Sequence, residues 1–426
     1  MTRRSYRVLH GFQASAGQPG LISRSLKEIG VDAFNVVIGP NRFGYPADVE
    51  IADASRTSMR EILTEHAGNS DIIHIHAITP FFVRGMPNFP MGTDLLALKA
   101  AGKRVVVHFR GSEIRLASVF RAKSPFHYVE DDPDGLIAKF PEDAQRAYIE
   151  LCRSLADEIV VSDPELLSYV PDAKIIMRAI DMNNWKRVKP SKSHRPLVVH
   201  APSRQGVKGT LHVLAAVEAL KSEGISFDFR LVEGMPQEEA RKLYEQSDII
   251  VDQLRIGWYG VLAVEGMALG KAVVSYIRED LVDGFDEDLP VQNATPDTIK
   301  DVLRELIQYP ELRSRVAERG YNYCHHNHDS TLVAQACAGL YDEIISRPTT
   351  VDLRAYMAVN ERQETFFQQA LIDAKKRGAA RARAAPPIAI ERATPYWRKV
   401  HNLYRKVGPR SFLLMAAKKA FGEKTR

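Results

Sequence analysis

The sequence predicts an α/β fold: two doubly wound, Rossmann-like units facing across a cleft, plus a helical C-terminal extension. Three observations predict it. Short β-rich runs alternate with helical patterns along most of the 426 residues, as in parallel sheets covered on both faces. A polar, basic, proline-containing stretch, NNWKRVKPSKSHRP (183–196), divides the alternation in two. Beyond about residue 348 the alternation stops and positive charge collects. Residues 371–426 carry 15 Lys and Arg against 3 Asp and Glu, so the tail is +12 and the rest −7 within a total of +5. The expected boundaries are 1–185, 186–347 and 348–426.

The elements follow in order. RVLHGF (7–12) is a buried strand, ISRSLKEIG (22–30) a helix stopped by Gly30, and FNVVIG (34–39) the next strand. DIIHIHA (71–77) alternates as a strand should. TDLLALKAAG (93–102) is a helix, KRVVVHF (103–109) a strand, EDAQRAYIELCRSLA (142–156) an amphipathic helix and DEIVVS a strand. After the linker, PLVVHAP, FDFRLVEG, DIIVDQL and KAVVSYI are strands. They alternate with the helices GTLHVLAAVEALKSEG, QEEARKLYEQS and GVLAVEGMALG. TIKDVLRELIQYPELRSRVAERGYNYCHHNH (298–328) is helical, interrupted near Pro310. In such folds ligands lie beyond the carboxyl ends of the strands, and the cleft between two units is the expected site.

Composition narrows the function classes. Cys152, Cys324 and Cys337 form no CxxC pair, so a disulfide framework is not expected and a reducing compartment is. MTRRSYRVLHGF has too short an apolar run for a signal peptide. No segment approaches the ~18 uncharged apolar residues of a membrane span. The GxGxxG fingerprint of dinucleotide enzymes is absent.

Two segments carry chemistry. In HAPSRQGVKG (200–209) a strand ends, a loop presents Arg204 and Lys208, and Gly209-Thr210 opens a helix. Two cations beside a helix amino terminus make an anion site, suited to a diphosphate. The alternative is an exposed basic turn. In GWYGVLAVEGMALGKAVV (257–274), Gly260 permits close backbone approach and a helix follows. Glu265 sits among Leu262, Ala263, Val264, Met267, Ala268 and Leu269. A carboxylate so placed needs a partner, and a vicinal diol such as a ribose supplies one.

These segments, in this order, resemble the retaining glycosyltransferases of family 4, which have the GT-B fold. VVHAPSRQGVKGT, DIIVDQL and GWYGVLAVEGMALGKAVV carry the likeness most specifically. VLHGFQASAGQPGLISRSL, DIIHIHAIT and KRVVVHFRGSEIR add to it, so the resemblance spans about residues 6–345. It implies an acceptor-binding first unit and a second unit that binds a nucleotide-diphosphate sugar. Arg204 and Lys208 would neutralise the diphosphate, helped by Gly209 and by the N–H groups of Gly260 and Val261. Glu265 would hold the ribose, and Glu233 would lie near the base. Gly17 and Gln18 would flank the transferred sugar, with His108 and Arg110 on the acceptor side. No metal and no cofactor are expected. Three positions depart from the family pattern. Gly257 stands where the first acid of Glu-x7-Glu belongs, with Asp252 as a nearby substitute. Arg110 stands where a histidine belongs, with His108 two residues earlier. The Arg-to-Lys spacing is one residue short.

Other signals are weaker. Asp132-Pro-Asp134 and Asp286-Glu287-Asp288 lie in acidic loops and read as solvated turns rather than metal sites. Cys324, His325, His326 and His328 match no zinc spacing and read as structural. His74 and His76 share a strand face, either lining the cleft or satisfied in the core. The tail interleaves Trp397, Tyr404, Phe412 and Phe421 with Lys and Arg. This suits an anionic membrane surface better than nucleic acid. A cytoplasmic enzyme peripheral to the membrane, with a glycan or lipid-linked acceptor, is the resulting expectation. The alternative is a catalytically degenerate homologue that binds a nucleotide-sugar or a membrane without transfer.

Overall fold

Two all-parallel sheets organise the chain. The first contains β1 (Arg7–Phe12), β2 (Asp32–Ile38), β3 (Val49–Ile51), β4 (Ile72–His76), β5 (Arg104–Phe109), β6 (Glu158–Val161) and β7 (Lys174–Ile175). Its order is β3-β2-β1-β4-β5-β6-β7. The second contains β8 (Leu197–His200), β9 (Asp228–Leu231), β10 (Ile249–Val251), β11 (Ala272–Ser275) and β12 (Gln292–Asn293), in the order β12-β11-β10-β8-β9. The expected α/β architecture of two doubly wound lobes is observed. This computed structural model describes residues 4–361 except 40, 42–43, 52–60, 77–91, 140, 190–192, 285–288, 352, 355 and 359–360. The basic tail expected over 371–426 lies outside the described residues, as does Asp286-Glu287-Asp288.

The central strands are buried on both faces, which is why β1, β4 and β5 read as nearly continuous apolar runs. The exceptions are histidines. His10 lies opposite His74 in the β1–β4 register, and His76 opposite His108 in the β4–β5 register. In each sheet the strand order reverses once, between β1 and β4 and between β8 and β10. The crevice beyond the carboxyl ends at such a reversal is where open α/β sheets bind ligands.

The helix Ser330–Ser346 corrects the expected boundary at 347. Its Val333, Cys337, Tyr341 and Ile344 share a core with Val8, Ile22, Leu26 and Val106 of the first lobe. Sequence order grouped it with the second unit; burial of its apolar stripe puts it in the first. The chain passes between lobes twice, side by side: Ile180 N–H donates to His328 O at 2.7 Å and Ser330 N–H to Ile180 O at 2.9 Å. The predicted helix break falls where expected, with Ile299–Gln308 ending before Pro310–Asn327.

The lobes also meet beside the cleft. Arg255 forks onto Asp131 at 2.8 and 2.9 Å and donates to the carbonyls of Phe126 and His127. Asp134 accepts from Val207 N–H at 2.8 Å. Phe126 meets Tyr276 edge to face. Among the described residues, no helix is long and apolar enough to cross a membrane.

Candidate active site in the inter-lobe cleft

The second lobe supplies its wall from two loops at the β8/β10 reversal. His200, at the end of β8, bonds Val251 O through Nδ1 at 2.8 Å and Thr210 Oγ1 through Nε2 at 2.9 Å. Burial pushes its pKa down to about 4. A neutral ring thus ties the strand to the helix Thr210–Ser222. Between them, Arg204 is exposed and leads into the short helix Gln205–Lys208. Gly209 takes φ +77°, which favours glycine and aims the next helix.

Lys208 Nζ donates to Asp252 Oδ1 at 3.1 Å and to Gln253 Oε1. Asp252 is fully buried, and its other oxygen accepts from Gly260 N–H. A Cβ on Gly260 would lie 3.0 Å from both Asp252 Oδ2 and Lys208 Nζ, so a side chain there would push this pair aside. This corrects one expectation. The Gly260 N–H is engaged with Asp252 and is not offered to a ligand. The helix Val261–Ala268 has no side-chain cap, so the Val261 end still presents its first-turn N–H groups. Glu265, in the second turn, is buried and accepts from Gln237 Nε2 at 2.8 Å. Burial first, and then Asp252, raises its pKa to about 7, against the pull of Gln237 and Arg241. Glu233 is exposed and accepts from Gln205 Nε2 at 2.6 Å.

The first lobe answers from the β1/β4 reversal. The loop after β1 holds Ser15, Ala16 and Gly17 at φ +39°, +55° and +73°. Such conformations in non-glycine residues persist only where the surroundings impose them. A Cβ on Gly17 would come within 2.8 Å of the Tyr45 ring. Gln18 spends its amide on the backbone: Nε2 donates to Ala179 O at 2.9 Å and Oε1 accepts from Ala179 N–H at 2.7 Å. It is therefore a clamp on the loop rather than a free sugar-binding group.

His108, expected to face the cleft, is fully buried, and Arg110 lines the cavity instead. The depth differs because His108 is inside β5 and Arg110 one residue past its end. Behind Arg110 runs a closed ring of hydrogen bonds. Arg110 Nη2 meets His76 Nδ1 at 2.5 Å, and His76 Nε2 meets His10 Nδ1 at 2.9 Å. His10 Nε2 meets Tyr341 OH at 3.1 Å, which meets His74 Nδ1 at 2.6 Å. His74 Nε2 meets His108 Nδ1 at 3.1 Å; His108 Nε2 meets Ser162 Oγ at 3.4 Å, and Arg110 Nη1 closes the ring onto that oxygen at 3.0 Å. A guanidinium only donates. His76 Nδ1 must therefore accept, so His76 donates from Nε2 to His10 Nδ1 and His10 donates from Nε2 to the Tyr341 hydroxyl. One arginine thus sets the tautomer of two of the four histidines, His76 and His10. Burial drives His10 down to about 3 and His74, His76 and His108 well below their usual value, with Arg110 adding to each shift. Nitrogens of His10, His74 and His76 lie within 4.8 Å of one another, close enough to share a metal ion. Their six nitrogens already have partners in the ring.

The two walls enclose a cavity of about 660 Å³ that holds Arg110, Arg204, Lys208, Glu233, Val261 and Glu265. A second cavity, of about 670 Å³, adjoins it at Tyr45, Gln237 and Glu265 and reaches Gly17, Gln18 and Trp185. Sequence reasoning missed Tyr45, Gln237, Ser162 and Tyr341. Only the HIH alternation in β4 signalled the ring. Of the weaker signals, Asp132 caps Ile137 and Ala138 N–H, and His328 bonds Tyr259 OH and Arg178 O, so both hold structure.

No family model and no curated protein matches the chain. Solved structures do match, and they are GT-B glycosyltransferases. HepE (Alr3699) of Anabaena, solved with UDP-glucose, is 13% identical, with a TM-score of 0.52, covering 79% of this chain and 100% of that one. Sucrose-phosphate synthase of Thermosynechococcus elongatus is 13% identical, with a TM-score of 0.54, over 80% and 100%. The catalytic domain of starch synthase IV from Arabidopsis thaliana, bound to ADP and acarbose, is 14% identical, with a TM-score of 0.55, over 81% and 100%. At these identities the likeness establishes the fold, which is GT-B.

Proposed function

We propose that the chain is a retaining, metal-independent glycosyltransferase of family 4. It would move a sugar from a nucleotide-diphosphate sugar to a glycan, lipid-linked or glycoconjugate acceptor. One observation carries the reading: Arg204, Lys208, the amino end of Val261–Ala268 and the buried Glu265 share one cavity beyond β8 and β10. HepE and starch synthase IV were solved with UDP-glucose and ADP, so uridine and adenosine diphosphate sugars are the first donors to test.

In this mechanism the C1–O bond to the diphosphate breaks heterolytically and its electron pair stays on the leaving phosphate. Arg204, Lys208 released from Asp252, and the Val261 helix end meet that growing charge. Preorganised cations aimed there lower the barrier directly. The acceptor hydroxyl attacks the same sugar face, and its proton passes to the departing phosphate oxygen. Glu265, as a carboxylate, accepts from the ribose hydroxyls.

The test is a thermal-shift panel of UDP-, GDP-, ADP- and CMP-sugars. The preferred donor at 100 times its Kd stabilises by ~2.7 kcal/mol. Turnover with the stabilising donor and the anomeric configuration of the product then test transfer and retention. A panel with no shift overturns the reading. A second reading has its own support. At Gly257, φ +95°, a Cβ would lie 3.1 Å from Arg278 Cβ, so the place of the missing family acid is both uncharged and crowded. Saturable donor binding with no transfer to any acceptor would favour this binding-only alternative. Residues 371–426 are proposed to hold the protein to an anionic membrane surface on the cytoplasmic side. Equal flotation of full-length and 370-truncated chains with anionic liposomes would remove that proposal.

A further inference from the structure

We infer that Arg110 forms a carboxylate-binding subsite in the first-lobe wall of the cleft, so that one of the two sugars meeting there carries an acid group. The identity of those sugars rests on the glycosyltransferase reading; the subsite itself rests on Arg110. Among the described residues, its guanidinium hydrogen-bonds only neutral side chains, His76 Nδ1 and Ser162 Oγ. The neighbouring cations are matched: Arg178 with Asp163, Arg115 with Glu165 and Lys208 with Asp252. Among the described residues, no carboxylate lies within salt-bridge distance of Arg110. Glu113, the nearest acid in sequence, accepts from the Arg110 backbone N–H instead.

Among the described residues, two of the five guanidinium N–H bonds have a protein acceptor. Nε is a buried atom with no partner. Nε–H and a terminal N–H form the side-on fork that matches the two oxygens of a carboxylate. The ring behind cannot neutralise the charge, because its four histidines are neutral, and it holds the guanidinium at two points. A neutral hydroxyl would leave the cation unpaired. The donor diphosphate has its own cations, Arg204 and Lys208, from the other lobe in the same cavity. What remains for Arg110 is an acid on a sugar, either the transferred one or the acceptor.

Titration calorimetry on the full chain separates these sources. One arm compares nucleotide-hexuronates with nucleotide-hexoses. The other compares methyl hexuronides with methyl hexosides, with and without saturating nucleotide. We expect at least about a tenfold preference for the acid in one arm, the scale of a charge-assisted hydrogen bond, and its loss in Arg110→Gln. Arg110→Lys keeps charge but loses the fork, so it should cut the preference severalfold. No preference in either arm, or one unchanged in Arg110→Gln, overturns the inference; should Arg110→Gln fail to fold, an unchanged preference in Arg110→Lys does so. If no nucleotide binds, the glycosyltransferase reading falls, while the methyl glycosides still report on Arg110.

Discussion

The two strand reversals that face each other across the cleft solve the same problem differently. At β8/β10 the wall is charged and mostly backbone: Lys208 and Asp252 are paired, Gly260 lets them approach, and a helix amino end stands beside them. At β1/β4 the wall is neutral and all side chain, four histidines joined by Tyr341 and Ser162 and ending in a single cation, Arg110. In the first arrangement, freeing Lys208 for a ligand would break its ion pair with Asp252 and its hydrogen bond to Gln253. The second cannot release anything without breaking a closed ring. Under the proposed function, the second lobe responds to an anion and the first holds a group still.

The largest effect should come from breaking the charged wall. Lys208→Ala removes a cation from the leaving group and should lower kcat at least about 10²-fold. It also leaves Asp252 buried without its partner, and stability should fall by roughly 3 kcal/mol in urea melts. Adding Asp252→Asn should restore much of the stability and none of the turnover. Turnover near wild type in Lys208→Ala would put the chemistry elsewhere.

Glu265 sharpens the comparison through pH. Its folded-state pKa, about 7, is above the usual 4.5. Between those values the native state binds more protons than the unfolded chain. Its stabilising contribution is therefore full below about 4.5 and is lost as pH rises through 7, by about 3 kcal/mol in all. Glu265→Gln should flatten that part of the stability curve. Donor affinity should run the other way, rising with pH around 7 as the carboxylate forms, with no such inflection in Glu265→Gln.

The histidine ring should respond with the opposite sign. Its four pKa values are lowered by burial, so its stability is present above about 6.5 and is lost as pH falls. Measured in Glu265→Gln, melting temperature should drop steadily below pH 6.5. Tyr341→Phe removes the hydroxyl joining His10 to His74 and should cost about 1–3 kcal/mol at pH 7.5. A melting temperature flat from pH 7 to 5 would mean that the ring does not carry the first lobe.

The same contrast explains what was legible in the sequence. The charged wall comes from two contiguous stretches, 200–209 and 252–265, whose strand–loop–helix pattern reads directly. The Asp252 claim on Gly260 N–H and the Gln237 bond to Glu265 were hidden, because they depend on how separate segments approach. The neutral wall is assembled from residues 10, 74, 76, 108, 110, 162 and 341, which only the sheet order and the returning helix Ser330–Ser346 bring together. Periodicity assigned their strands correctly, yet it could not say that His108 turns into the core while Arg110, one step past the strand, reaches the cleft. Tyr341 was beyond reach because sequence order placed its helix with the wrong lobe.

The smallest effect tests whether the two walls act independently. Asp134 reaches from the first lobe to Val207 N–H, one residue before Lys208, at 2.8 Å. Its side chain is exposed, so the contact should be worth no more than about 1 kcal/mol. The heavier connection is Arg255, which holds Asp131 and two backbone carbonyls nearby. Asp134→Asn keeps an oxygen acceptor but removes the charge. It should leave melting temperature within a degree or two of wild type and change the donor KM by less than about threefold, with kcat unaltered. A large fall in kcat would mean that the first lobe positions the Lys208 loop, and the two walls would then be one device rather than two.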